Sequence, residues 1–140
     1  MYTLRRKVHF YETDGMKVAH HANYFKWFEE ARVEYMRAGG LSLNDLMDQG
    51  VVFPIMEVSA KYLLPAQYDD YLLIRTYLRE VDRAKLVFEY EVYRESDGAL
   101  LTVGRSLNTY TKIDTGRIAR MPKAQLEQFM EISREDRENG

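Results

Sequence analysis

The stretch from residue 51 to residue 113 constrains this chain most. Four segments, Val51 to Leu64, Tyr71 to Val81, Lys85 to Glu95 and Ala99 to Ile113, are each rich in β-branched and aromatic residues. The turn-forming stretches between them, PAQYDD, DRA and SDG, are short. Links of that length cannot carry the crossover that parallel pairing needs, so an antiparallel meander is expected. A further strand is expected near the start, where Leu4, Arg6, Val8 and Phe10 interleave with Thr3, Arg5, Lys7 and His9 up to Tyr11.

One long helix is available to cover this sheet. Tyr24, Trp27, Phe28, Ala31 and Tyr35 fall on a single helical stripe, with Lys26, Glu29, Glu30 and Arg32 mainly outside it, and Gly39-Gly40 ends the pattern. Ser42 to Gln49 reads as one or two more turns with Ser42 as cap. Pro122 to about Arg137 reads as a short amphipathic helix presenting Leu126, Phe129 and Met130, before an ending, REDRENG, expected to fray. The layout is α+β, one domain over residues 1–140. The strands at 85–95 and 99–113 are long for one covering helix, so a sheet face with apolar side chains to spare, and hence a symmetric partner, is expected.

Charge and composition narrow the function. Lys plus Arg number 20 against 22 Asp plus Glu, a net −2. The alternation of Arg75, Tyr77 and Arg79 therefore lacks the basic excess that nucleic-acid binding requires. There is no Cys, which removes thiolate chemistry and disulfides and suits a reducing, cytoplasmic setting. No apolar run approaches the ~18 residues of a membrane span. His9, His20 and His21 are the only histidines and include no i, i+4 pair, so no metal site is expected.

Residues 12 to 32 read ETDGMKVAHHANYFKWFEEAR. Asp14 in an Asp-Gly pair serves equally well to bond its own turn, and His20-His21 as loop residues near a helix start. Taken together they supply the parts of acyl-group hydrolysis. A helix start offers unsatisfied N–H groups that hold an oxyanion, Asp14 is placed to act as general base or nucleophile, and His21 to bond the substrate carbonyl or leaving group. Glu57 is a rival acid, but alternation puts it with Ser59 and Lys61 on the solvent side.

The run Tyr11, Thr13, Asp14, Val18, His21, Asn23, Tyr24, Glu29, Ala31 and Arg32 resembles the signature of the hotdog-fold acyl-CoA thioesterases of the 4-hydroxybenzoyl-CoA thioesterase type, in particular their bacterial YbgC-like subgroup. The segments PIMEVSAKYLLPAQYDDYLLIRT at 54–76 and GRIARMP at 116–122 resemble later parts of the same family, in the same order. The resemblance implies a long antiparallel sheet wrapped around one central helix, with active sites at the interface of homodimers or homotetramers. It implies hydrolysis of an acyl- or aroyl-CoA to the acid and free coenzyme A, with no cofactor because coenzyme A belongs to the substrate. Asp14 matches the catalytic carboxylate, and His21 the position whose N–H polarises the thioester carbonyl. Lys17 stands where the family commonly carries Gly, which puts the shape of the Asp14 loop in question.

Further substrate-binding candidates are Tyr24 at the helix start, Phe53, Pro54 and Met56 as walls of an acyl tunnel, and Arg83 and Lys85, in EVDRAK, for the phosphates of coenzyme A. Each also has a structural reading: core packing for Tyr24, strand interior for Phe53, Pro54 and Met56, and a solvated hairpin turn for the two basic residues. The alternative function is a hotdog module that binds acyl-CoA or acyl carrier protein without cleaving it, and a dehydratase on the same fold is a third.

Overall fold

In the computed structural model, which describes residues 1–139, the long sheet is built around a three-stranded meander. Strands β4 (Tyr71–Val81), β5 (Lys85–Arg94) and β6 (Leu100–Thr109) follow one another as antiparallel neighbours. Their turns are fixed by aspartates: Asp82 Oδ1 accepts the N–H groups of Ala84 and Lys85, both at 2.8 Å, and Asp97 Oδ1 accepts that of Ala99 at 3.0 Å.

The meander extends no further than these three strands. β3 (Ile55–Tyr62) pairs with β6, and β1 (Tyr2–Lys7) with β4, giving the order β1-β4-β5-β6-β3. Consecutive β3 and β4 thus lie on opposite sides of the β5–β6 pair, and residues 63–70 cross between them. The run expected over 51–64 is split, because Pro54 has no N–H to give a ladder. Its first part, β2 (Val51–Val52), forms a separate ribbon with β7 (Thr111–Lys112), and the expected 99–113 strand breaks at Tyr110 to supply that partner. The first strand likewise stops at Lys7, and Phe10–Glu12 make a 3-10 turn.

Helix α1 (Ala22–Ala38) keeps the expected bounds and buries Tyr24, Trp27, Phe28, Ala31 and Tyr35. It lies over the face formed by Leu72, Ile74 and Leu78 of β4 and Leu86, Phe88, Tyr90 and Val92 of β5, all buried. Phe28 stacks on Tyr90 with ring centroids 4.4 Å apart. Directly across the β5–β6 ladder from Tyr90 is Gly104, where a Cβ would fall 2.5 Å from the Phe28 ring. The helix sits this close because that strand position carries no side chain. Arg32, expected outside the stripe, is buried and donates to Tyr90 Oη at 3.0 Å.

The sheet face away from α1 mixes charge with apolar side chains: Arg79 pairs with Glu89 at 2.7 Å and Arg105 with Glu80 at 2.8 Å, while Leu73, Tyr77, Tyr93, Val103 and Leu107 stand half-buried among them. A further group of exposed apolar residues lies on β3 and just after it, at Ile55, Met56, Val58, Tyr62, Leu63 and Leu64. One expectation about surfaces fails, on α3 (Lys123–Asn139), which packs against β4. Phe129 is buried, but Met130 is exposed and Ile132 packs against the core in its place. The REDRENG segment is helical up to Asn139, while Gly140 lies outside the described residues. Asp136, 1% exposed, accepts the Leu78 N–H at 2.8 Å and the Tyr35 hydroxyl. Short helix α2 (Leu43–Asp48) follows Ser42, whose side chain makes no capping bond.

Candidate active site

Residues 12–20 form a small hairpin at the start of α1. Thr13 bridges Ala19, the Asp14 N–H donates to the Val18 carbonyl at 2.9 Å, and the His20 N–H to the Glu12 carbonyl at 2.9 Å. Its base is clamped by the Glu12 side chain, only 6% exposed, which accepts from Arg6 Nη1 (2.8 Å), the His9 N–H (2.9 Å) and Trp27 Nε1 (2.8 Å). The Glu12 carbonyl also accepts Asn23 Nδ2 at 2.6 Å. Glu12 therefore ties the hairpin to β1 and to α1 at once. Sequence reasoning passed over it; the available signal was Trp27 at a core position, since a buried indole N–H needs an acceptor.

At the tip, Asp14 Oδ1 accepts the Met16 N–H at 2.8 Å, and the Asp14 carbonyl accepts the Lys17 N–H at 3.3 Å. Lys17 has φ 64°, the left-handed conformation that glycine adopts freely and other residues at a cost. The loop shape that Gly would allow is thus kept by Lys17 under strain. Among the described residues Lys17 makes no ion pair with Asp14.

At the helix start, His20 Nδ1 accepts the Ala22 N–H at 3.2 Å and the His20 carbonyl that of Asn23 at 3.0 Å. The His21 N–H makes no hydrogen bond among the described residues. It is an unspent donor at the positive end of a 17-residue helix. His21 also lines a cleft of about 230 Å³ with Val18, Tyr24, Tyr62, Leu64 and Pro65 among others. The His21 ring stacks on Tyr62 at 4.3 Å, and Tyr62 meets Tyr24 edge-on at 5.1 Å. Burial pushes the Tyr24 and Tyr62 hydroxyls above the usual tyrosine range, so both stay protonated donors at neutral pH.

The sequence candidates do not converge in one cavity of a single chain. His21 and Tyr24 share the cleft, whereas Asp14 is exposed, lies across the hairpin from Val18 and is held in its own turn. Phe53 is buried edge-on against Tyr110 and Phe129 and, with Pro54, walls a second cleft of about 200 Å³ beside α1. Met56 is 57% exposed on β3, at a bulge between Ile55 and Glu57. Arg83 is exposed in the β4–β5 turn, and Lys85 lines a third cleft of about 380 Å³ with Glu80, Asp82 and Arg105. Among the described residues no group of three His, Asp or Glu could hold a metal ion, and no helix is long and apolar enough to cross a membrane.

Known proteins resemble this chain over most of its length. Residues 8–129 match the family described as the thioesterase-like superfamily. A putative esterase of Aquifex aeolicus is 34% identical over 123 residues, covering 88% of this chain and 93% of its own length. The acyl-CoA thioesterase YbgC of Haemophilus influenzae is 32% identical over 91 residues, 64% of this chain and 67% of its own. Among solved structures, the DHNA-CoA thioesterase of Staphylococcus aureus superimposes with a TM-score of 0.92 at 27% identity, covering 99% of this chain and 95% of that one.

Proposed function

We propose, for a chain that belongs to the thioesterase-like superfamily, has its hotdog fold and is a thioester hydrolase, that the substrate is an acyl- or aroyl-coenzyme A cleaved at the helix start of α1. The single observation that carries this reading is that His21, whose N–H is unbonded among the described residues, lines a cleft at the helix start together with Tyr24 and Tyr62. A thioester carbonyl seated there receives a hydrogen bond that strengthens as its oxygen becomes negative, which is what lowers the barrier.

Asp14 supplies the attack. As general base it takes a proton from water while the water oxygen adds to the carbonyl carbon. As nucleophile it first forms an anhydride, which water then opens. Either way the coenzyme A thiolate leaves and takes up a proton, and the acid is released. To reach the cleft, the Asp14 carboxylate gives up the Met16 N–H, and the exposed hairpin tip allows that rotation.

The assembled enzyme is at least a dimer, with tetramers as its expected state. β3 is an edge strand with a free ladder side and exposed apolar side chains, a combination that a second copy can cover by strand pairing. Pairing there would bring another subunit toward Phe53, Pro54 and Met56, the expected acyl-tunnel walls. Arg83 and Lys85 are the proposed contacts to the nucleotide phosphates, and neither residue is engaged in an ion pair among the described residues. The reaction needs no cofactor beyond water and is placed in the cytoplasm.

The test is thiol release from a panel of acyl- and aroyl-CoA esters by the pure protein and by Asp14→Asn. We expect turnover of at least one ester and a loss of about 10²-fold or more in the variant. Equal rates for both proteins on every ester would overturn the assignment.

A further inference from the structure

The opening turn of a helix presents backbone N–H groups that have no carbonyl one turn back to take them. In α1 most of these are spent. The Ala22 N–H donates to His20 Nδ1 at 3.2 Å, the Asn23 N–H to the His20 carbonyl at 3.0 Å and the Tyr24 N–H to the His21 carbonyl at 3.2 Å. The His21 N–H alone is left unbonded among the described residues. His21 already has helical angles, φ −55° and ψ −35°, which makes His20 the capping residue. Its carbonyl closes the first bond of the helix, and its side chain takes the N–H two residues on.

His20 is held for this task by its backbone. Its N–H donates to the Glu12 carbonyl at 2.9 Å, and its carbonyl also accepts Asn23 Nδ2 at 3.2 Å. The ring is not among the walls of the cleft at the helix start, so its contact with that cleft runs through the helix amides. Ser, Thr, Asp and Asn are the usual caps, and a negative charge also suits the helix dipole. An imidazole accepts only at a nitrogen that carries no proton, so the Ala22 bond fixes His20 as the neutral ring with its hydrogen on Nε2. A neutral cap takes the Ala22 N–H without setting a carboxylate beside a carbonyl oxygen that is turning negative.

We infer that His20 is a positioning residue for the hydrolysis: it caps α1 with an uncharged acceptor, leaves the His21 N–H as the one free amide donor of the first turn, and keeps a second carboxylate away from the oxyanion. A carbonyl that met two adjacent free amides would settle on either, and only one choice fits the line of attack. The role rests on the function proposed above, whereas the cap does not.

The experiment measures thiol release and the thermal midpoint for the wild type, His20→Asn, His20→Asp and His20→Ala. It uses the best ester of the acyl- and aroyl-CoA panel at low ionic strength, with rates corrected for the folded fraction. His20→Asn, an uncharged cap, should hold the midpoint and keep kcat within about threefold of the wild type. His20→Asp should hold or raise the midpoint and still lose roughly tenfold or more, most of it in kcat and not in KM, because its charge opposes the oxyanion only as that forms. His20→Ala should lower the midpoint and cut kcat by roughly 3- to 30-fold. A His20→Asp enzyme as fast as the wild type, or a His20→Ala enzyme that loses stability but no kcat, overturns the role, since the histidine would then serve the fold alone. His20→Asn falling as far as His20→Ala also overturns it, by making the imidazole itself the acting group. A wild type that releases no thiol from any ester removes the proposed function and this role together, whereas an active wild type with unaltered variants removes this role only.

Discussion

Phe28 is fixed between Tyr90 and the bare backbone of Gly104, while Asp14, some four helical turns' worth of chain earlier, is exposed and held only by the bonds of its own turn. The two regions meet at the helix start, where Glu12 and Asn23 fasten the hairpin to α1. Close packing costs freedom, and the helix-on-sheet layer has none to give. The hairpin has a clamped base and an exposed tip held by its own turn bonds. On the proposed function, that contrast divides the work: the packed layer sets the donor at the helix start, and the acid is carried on the exposed tip.

The comparison breaks first if the clamp between the regions is cut. Glu12→Ala leaves the Trp27 indole N–H without its acceptor and the largely buried Arg6 with only the longer pair to Glu30 at 3.7 Å, and should cost about 2 kcal/mol or more in urea unfolding. A loss under about 1 kcal/mol would mean that the hairpin is not tied to α1. Gly104→Ala drives a methyl into the pinned Phe28 ring and should cost about 1–3 kcal/mol by the same measurement. A neutral result would show that the layer yields more than its packing implies.

Alkaline pH probes the packed side further. Burial raises the pKa of Tyr35, beside Asp136, and of Tyr24. The unfolded chain ionises its tyrosines from about pH 10, before the native state does. Stability from these two groups is therefore fully present below that pH and falls as pH climbs through their raised values. Thermal midpoints between about pH 8 and 12 should show that decline, and Tyr35→Phe should lessen it. The smallest expected effect belongs to the tip: Lys17→Gly relieves the left-handed strain but loosens the unfolded chain, for a net gain of at most about 1 kcal/mol.

Sequence legibility follows the same division. The α1 stripe, the 71–81 strand and the 82–85 turn were readable because period and turn chemistry are local. Strand neighbours were not: nothing within residues 55–62 says that their partner is residues 102–108 and not the strand that follows. Arg32, and the REDRENG segment that holds Asp136, were misjudged because charge ordinarily marks the surface, whereas here Tyr90, Tyr35 and the Leu78 N–H provide buried partners. Pro54 and Gly104 were signals left unused, each marking a break or close approach within an apparent strand. At the site, the start of the long helix beside His21 was legible, and α1 begins there. The position of Asp14 was not, because both roles, turn bond and base, use the same residue type at the same place.

The most direct test compares Asp14→Asn and Gly104→Ala for two readouts, thiol release from a good acyl-CoA ester and the thermal midpoint. The account predicts that Asp14→Asn loses about 10²-fold or more in rate with its midpoint unchanged, while Gly104→Ala lowers the midpoint and keeps the rate of its folded fraction. An Asp14→Asn protein that melts early, or one that keeps the wild-type rate, would contradict it.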